Sequence, residues 1–371
     1  MTDLLIPSSS SPLQVRSRRW RLVFDWSATS VPVTMLLLVG MAAGPHGINL
    51  LTTDALSFLD PAMPVAIGSL GVLAGLAMGP RRPDSRRLLA AAWLGVAITM
   101  FVVAAGFGAA AMFGLSFAGE STVPLLVTLG ICASTSLTLH AGDLLQPRSV
   151  VARVVELEVL LPVVAGGLLL AALRAQSASA TAVLIIESCA VTAALAGAVW
   201  LLLTRVTSET EERVLVVSAL LLVGGVAGAL ALSSLFGGLV AGLCWLYAGK
   251  RPRESIRRNT MFVQHPLLVL VLLVAGARTV LSPASLMLGG GYLALRMVGR
   301  LAGGAAAGRG LGAGAPSGLG LSLLWPGVFG VAFALDAAIT EGRGLLLSAV
   351  VVGTTLSEVV AILVNPRKAD E

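Results

Sequence analysis

The stretch Glu156-Leu-Glu-Val-Leu-Leu-Pro-Val-Val-Ala165 lies inside an apolar run bounded by Arg153 and Arg174. As a helix rising 1.5 Å per residue, that run is about 31 Å long, close to the thickness of a hydrocarbon core. It therefore reads as a membrane span. Similar runs recur along the chain at approximately 31–50, 62–80, 88–115, 122–141, 180–204, 212–232, 234–249, 262–278, 283–304, 317–337 and 344–365, with this one at 151–173. The expected fold class is all-α: a polytopic membrane protein of about twelve transmembrane helices.

Composition agrees. The 371 residues are 56% hydrophobic and only 12% charged, about half the charge of an ordinary soluble domain. A transmembrane barrel would show segments of about ten residues with alternating polarity, and the chain has none. The formal charge of +6 raises the question of nucleic acid. Placement of the charges answers it. With the N-terminus in the cytoplasm, 21 of the 25 Lys and Arg residues fall in cytoplasmic segments. Arg174, Arg278 and Arg343 fall outside, and Arg296 sits within a span. One missed span would reverse every later loop, so this asymmetry supports twelve spans with both termini inside. The basic residues then face membrane lipid, and no nucleic acid partner is expected. The expected location is a bacterial inner (cell) membrane.

The expected organisation is a cytoplasmic segment 1–30, a membrane domain 31–365 and a short cytoplasmic tail 366–371. Arg16, Arg18, Arg19 and Arg21, interleaved with Trp20, Leu22, Phe24 and Trp26, suit either the headgroup surface or a plain topogenic cluster. Cys132, Cys189 and Cys244 lie in apolar runs and read as small buried hydrophobes, so neither a disulfide framework nor a metal site is expected. The glycine-rich segment Gly303 to Gly320 follows a span and no strand. It reads as a flexible cytoplasmic linker and not as a phosphate loop. No His-Glu-x-x-His helix and no Gly-x-Ser-x-Gly elbow occurs, so no enzyme and no cofactor is expected.

Four stretches carry a family resemblance: Gly40-Met-Ala-Ala-Gly-Pro-His-Gly47, Gly71-Val-Leu-Ala-Gly-Leu76, Leu235-Phe-Gly-Gly-Leu-Val-Ala-Gly242 and Gly320-Leu-Ser-Leu-Leu-Trp-Pro-Gly-Val-Phe-Gly330. In order and spacing they resemble the monovalent cation:proton antiporter superfamily of sodium/proton exchangers and potassium-efflux-type antiporters. The resemblance implies inverted repeats, with core spans 88–173 and 283–365, scaffold and dimer spans 31–80 and 212–278, and a homodimer. It also implies two broken helices crossing at mid-membrane, where half-helix ends meet the ion. The residues agree with two breaks. Ser134, Thr135 and Ser136 interrupt span four, and Pro326-Gly327 interrupts span eleven.

The resemblance also implies a titrating acid on span five that binds proton and cation in competition. Aligning Glu158-Val-Leu-Leu-Pro-Val163 with the exchanger motif Glu-Ser-Leu-Leu-Asn-Asp puts Pro162 and Val163 on the polar pair. Val328 stands where the span-eleven glutamate is expected. Glu158 then matches an accessory glutamate that pairs with a cation on span ten. Arg296 and Arg300, four apart on one helix face, are the two candidates. The pair is either a staple between spans or, with Glu158 titrating, a relocated ion site. Glu156, Glu187 and Glu358 are further intramembrane acids, and Glu187 is a candidate for transport.

The leading expectation is a Na⁺ or K⁺:proton antiporter-like transporter whose partners are monovalent cations and protons. Pro162-Val163 favours an alternative, a transport-inactive scaffold or sensor on the same fold. A third reading is an anion or solute transporter using Arg296 and Arg300.

Overall fold

A computed structural model describes residues 33–78, 85–113, 122–135, 154, 157–175, 177–206, 208–230, 233–247, 250–312, 319–325 and 327–364. Segments 1–30 and 366–371, and the sites Ser136 and Pro326, lie outside the described residues. Each of the twelve apolar runs holds a helix. Among the described residues there are fourteen α-helices: α1 (Val33–Ala43), α2 (Thr53–Leu59), α3 (Met63–Ala77), α4 (Ser85–Met112), α5 (Thr122–Ala133), α6 (Leu160–Arg174), α7 (Ala178–Leu203), α8 (Glu209–Ala229), α9 (Ser234–Leu246), α10 (Lys250–Ala277), α11 (Pro283–Leu311), α12 (Leu319–Ser322), α13 (Val328–Glu341) and α14 (Gly344–Val364). No strand occurs among the described residues. Five helical segments are long and apolar enough alone to cross a membrane: Thr53–Leu76, Arg86–Met112, Ala178–Leu203, Glu209–Ala229 and Gly344–Ala361. Shorter apolar helices fill five of the other runs, the 29-residue α11 fills 283–304, and α12 and α13 share 317–337.

Helix ends follow from side chains that accept the orphan N–H groups of a first turn. Thr52 caps α2, Ser177 caps α7 and Ser233 caps α9. Ser282 and Ser285 form a reciprocal capping box at the start of α11, with Pro283 in its first turn.

Small residues set how closely these helices approach. The glycine motifs of spans two and eight are one contact surface, between α3 and α9. A Cβ on Gly71 would sit 2.2 Å from the Leu235 carbonyl oxygen, and one on Gly238 would sit 1.9 Å from that of Gly68. Only glycine lets the two backbones touch there. Around this pair, α1, α7, α8 and α10 form one packing set. A second set joins α4, α5, α11 and α14. Helices α6 and α13 lie between and touch both.

One expectation needs correction. The segment Gly303 to Gly320 is not a linker throughout, because α11 continues to Leu311. Its glycines are packing surface: a Cβ on Gly303 would lie 2.4 Å from the Gly95 carbonyl oxygen of α4. The charged segment from Lys250, between the expected spans 234–249 and 262–278, is helical too and forms the start of α10. Pro252 falls in its first turn, where proline is tolerated. Glu212 of α8 fixes that start, accepting from Ser255, Arg258 (3.2 Å) and Asn259 (3.4 Å).

Gly238→Val is expected to force α3 and α9 apart, at about 1–3 kcal/mol or more. It should lower the thermal unfolding midpoint of the detergent-purified protein. Gly225→Ala, where a Cβ meets nothing within 4 Å, should leave the midpoint unchanged.

Candidate functional site

The site begins where α5 stops. After Ala133 the hydroxyls turn back on the helix: Ser134 Oγ donates to the Ile131 carbonyl (2.7 Å) and Thr135 Oγ1 to that of Cys132 (3.1 Å). They satisfy the last carbonyls of α5 and leave that of Thr135 pointing onward. The second break lies between α12, which ends at Ser322, and α13, which begins at Val328 after an extended Gly327. The end of α5 meets the start of α13. A Cβ on Gly330 would fall 2.5 Å from the Cys132 carbonyl oxygen and 2.9 Å from Thr135 Oγ1.

Arg296 joins them. It is 1% exposed. Its Nη2 donates to the carbonyls of Thr135 (3.0 Å) and Trp325 (3.1 Å). Its Nη1 donates to Ser357 Oγ (3.3 Å) on α14, and Ser357 in turn donates to the Leu324 carbonyl (3.3 Å). One guanidinium thus reaches both broken segments and a third helix. Helix C-terminal ends carry partial negative charge, so a cation fits there. The cation in this case is covalently part of the chain.

Arg300, one turn further along α11 and equally buried, pairs with Glu158: Nη1 to Oε2 is 3.0 Å. Glu158 lies just before α6, fully buried. The structure therefore assigns the Glu158 partner to Arg300 and gives Arg296 a different task. Arg300 Nε and Nη2 and Arg296 Nε have no hydrogen-bond partner among the described residues.

Pro162 and Val163 line a narrow apolar space with Ile131, Thr135, Leu235, Phe329 and Phe333. It is too tight to admit a water molecule. Among the described residues Thr135 supplies its only hydroxyl, and that hydroxyl is spent on Cys132. Neither arginine lines this space.

Of the other sequence candidates, Glu187 is exposed on α7 beside Val183 and Ile186, away from the crossing. Glu358 is buried and accepts from the backbone N–H of Thr34 (2.8 Å) and from its hydroxyl, so it caps the start of α1. Sequence reasoning missed Asp336, a 3% exposed acid on α13. The signal was available: Phe329, Phe333 and Asp336 recur at helical spacing along one stripe.

Two solved structures of the sodium proton antiporter MjNhaP1 from Methanocaldococcus jannaschii resemble this chain over nearly its whole length. One, determined at pH 8, has a TM-score of 0.60 at 17% identity, covering 96% of this chain and 94% of that one. The other, from electron microscopy, has a TM-score of 0.64 at 15% identity with the same coverage. The fold is that of a sodium/proton antiporter. No protein-family description matches the chain, and no curated protein matches it.

Removing either partner of the Glu158–Arg300 pair strands a buried charge, which costs about 3–5 kcal/mol. Glu158→Met and Arg300→Met should each lower the thermal midpoint steeply, and the double variant should recover most of the loss. Additive losses would show that the two groups do not stabilise each other.

Proposed function

We propose that this chain is a monovalent cation:proton antiporter-like membrane protein whose central site no longer exchanges Na⁺ or K⁺ for protons. It keeps the transporter fold as a scaffold or sensor. The observation that carries this reading is Arg296, bound to the carbonyls of both broken segments. Two unit charges about 4 Å apart at an effective dielectric near 20 repel by roughly 4 kcal/mol. That is close to three decades of affinity, and an arginine does not give up its charge. A cation approaching the crossing therefore meets a fixed positive charge. It also finds an apolar wall at Val163 where a carboxylate would be needed.

Glu158 does not readily substitute as the carrier, because its charge is already matched by Arg300. The anion reading loses support because both guanidiniums are 1% exposed and neither lines the narrow space. We place the protein in a cell membrane as a homodimer with cytoplasmic termini. The set around α3 and α9 would be its scaffold and dimer layer, and the other helices its core.

Everted vesicles loaded by a proton gradient test this. Wild type should give no dequenching with Na⁺ or K⁺ between about pH 6 and pH 9, whereas a working exchanger in the same vesicles should respond. Robust exchange by wild type that Glu158→Gln abolishes would make Glu158 the ion site and end the proposal.

A further inference from the structure

Asp336 is a buried carboxylate that the central crossing does not use. Its Oδ2 accepts the backbone N–H of Ser234 (3.2 Å), in the first turn of α9. The Ser233 hydroxyl lies against the same carboxylate. That hydroxyl already accepts from the Phe236 N–H (3.4 Å), so its own proton is available to donate. Ser234 is 1% exposed, and its Oγ has no hydrogen-bond partner among the described residues. A carboxylate at the start of a thirteen-residue helix meets the positive end of that helix.

The location gives this contact a consequence. Leu235 and Phe333 line the narrow space beside Val163. Ser234 is the neighbour of Leu235, and Asp336 is one turn beyond Phe333. The contact therefore ties α13 to α9 directly beyond that space. It joins one of the two broken helices to the α3–α9 layer.

We propose that Asp336, with Ser233 and Ser234, is a proton-binding site that latches α13 to α9. Ionised, the carboxylate is an acceptor only, and it holds the donors of the α9 N-terminus. A bound proton removes the charge and makes one oxygen a donor facing other donors. The latch then loosens: relative to a parted state in which the carboxylate stays buried but loses these donors, the contact holds at high pH and weakens as pH falls.

The surroundings are sparse in other charge. Helices α3, α5 and α9 carry no charged residue. Helix α6 brings Arg174, which acts on Asp336 and also pairs through Nε with Glu341 of α13 (3.1 Å). That pair is only partly buried. From α10, the one titratable residue between Arg258 and Arg278 is His265, and Arg278, just past its end, pairs with Asp60. From α14 come Glu358, engaged with Thr34, and Arg343 just before its start. The proposal does not depend on whether the central crossing exchanges ions.

Hydrogen–deuterium exchange of the full chain in nanodiscs tests it, read on the amides of Leu235 to Leu239. With the intrinsic pH dependence divided out, wild type should exchange about two- to thirtyfold faster at about pH 5.5 than at about pH 8.5. Asp336→Asn should be fast at both, and Asp336→Glu should restore the pH dependence. An identical pH ratio in wild type and Asp336→Asn would overturn the site. If Asp336→Asn fails to fold, Ser233→Ala replaces it. A reduced ratio there supports the proposal, and an unchanged ratio overturns it. A Na⁺-dependent change in wild type at the higher pH would mean a cation site and would overturn the assignment to protons. The vesicle experiment leaves this exchange ratio untouched, so the two proposals fail separately.

Discussion

A chain that unwinds at membrane depth leaves carbonyls with no water to meet them, and each one left alone costs several kcal/mol. Here the end of α5 and the start of α13 face each other. Arg296 answers them with one planar guanidinium, taking the Thr135 and Trp325 carbonyls directly and the Leu324 carbonyl through Ser357. Its delocalised fork suits three acceptors at once, and its charge is fixed. Most of the centre follows from that one placement. Glu158 balances Arg300, the next cation along the helix, and the space beside Val163 can remain dry and apolar.

The remaining buried acids are held in a similar way, by donors from another segment. Glu358 takes the first turn of α1, and Asp336 takes that of α9. Helix starts therefore do for the carboxylates what helix ends do for Arg296. Glu187 differs: it is exposed beside apolar side chains of α7, with no ion pair among the described residues.

Much of this was legible in the residues. Span length alone gave the helices, because crossing the hydrocarbon requires about twenty apolar residues. Ser134 and Thr135 stand where α5 ends and Gly327 stands just before α13, positions where the sequence interrupts an otherwise apolar run. Their four-residue spacing placed Arg296 and Arg300 on one face, but only the packing could say which of them meets Glu158. Gly303 to Leu311 was misread because glycine favours coil in water and close helix contact in a packed membrane domain. Lys250 to Asn259 stands outside the expected spans because of its charge, and only the packing shows Glu212 holding it as helix. Asp336 escaped because a lone acid near the end of an apolar run resembles a span boundary, and the helical stripe that places it inward was not followed.

The account rests on a guanidinium occupying the place where two half-helices would otherwise receive a transported cation. The most direct measurement is an experimental density map of the wild-type protein in saturating Na⁺ at about pH 8. The account predicts density for the Arg296 side chain between the Thr135 and Trp325 carbonyls and no ion beside them. An arginine swung away, with ion density seated against those carbonyls, would contradict it.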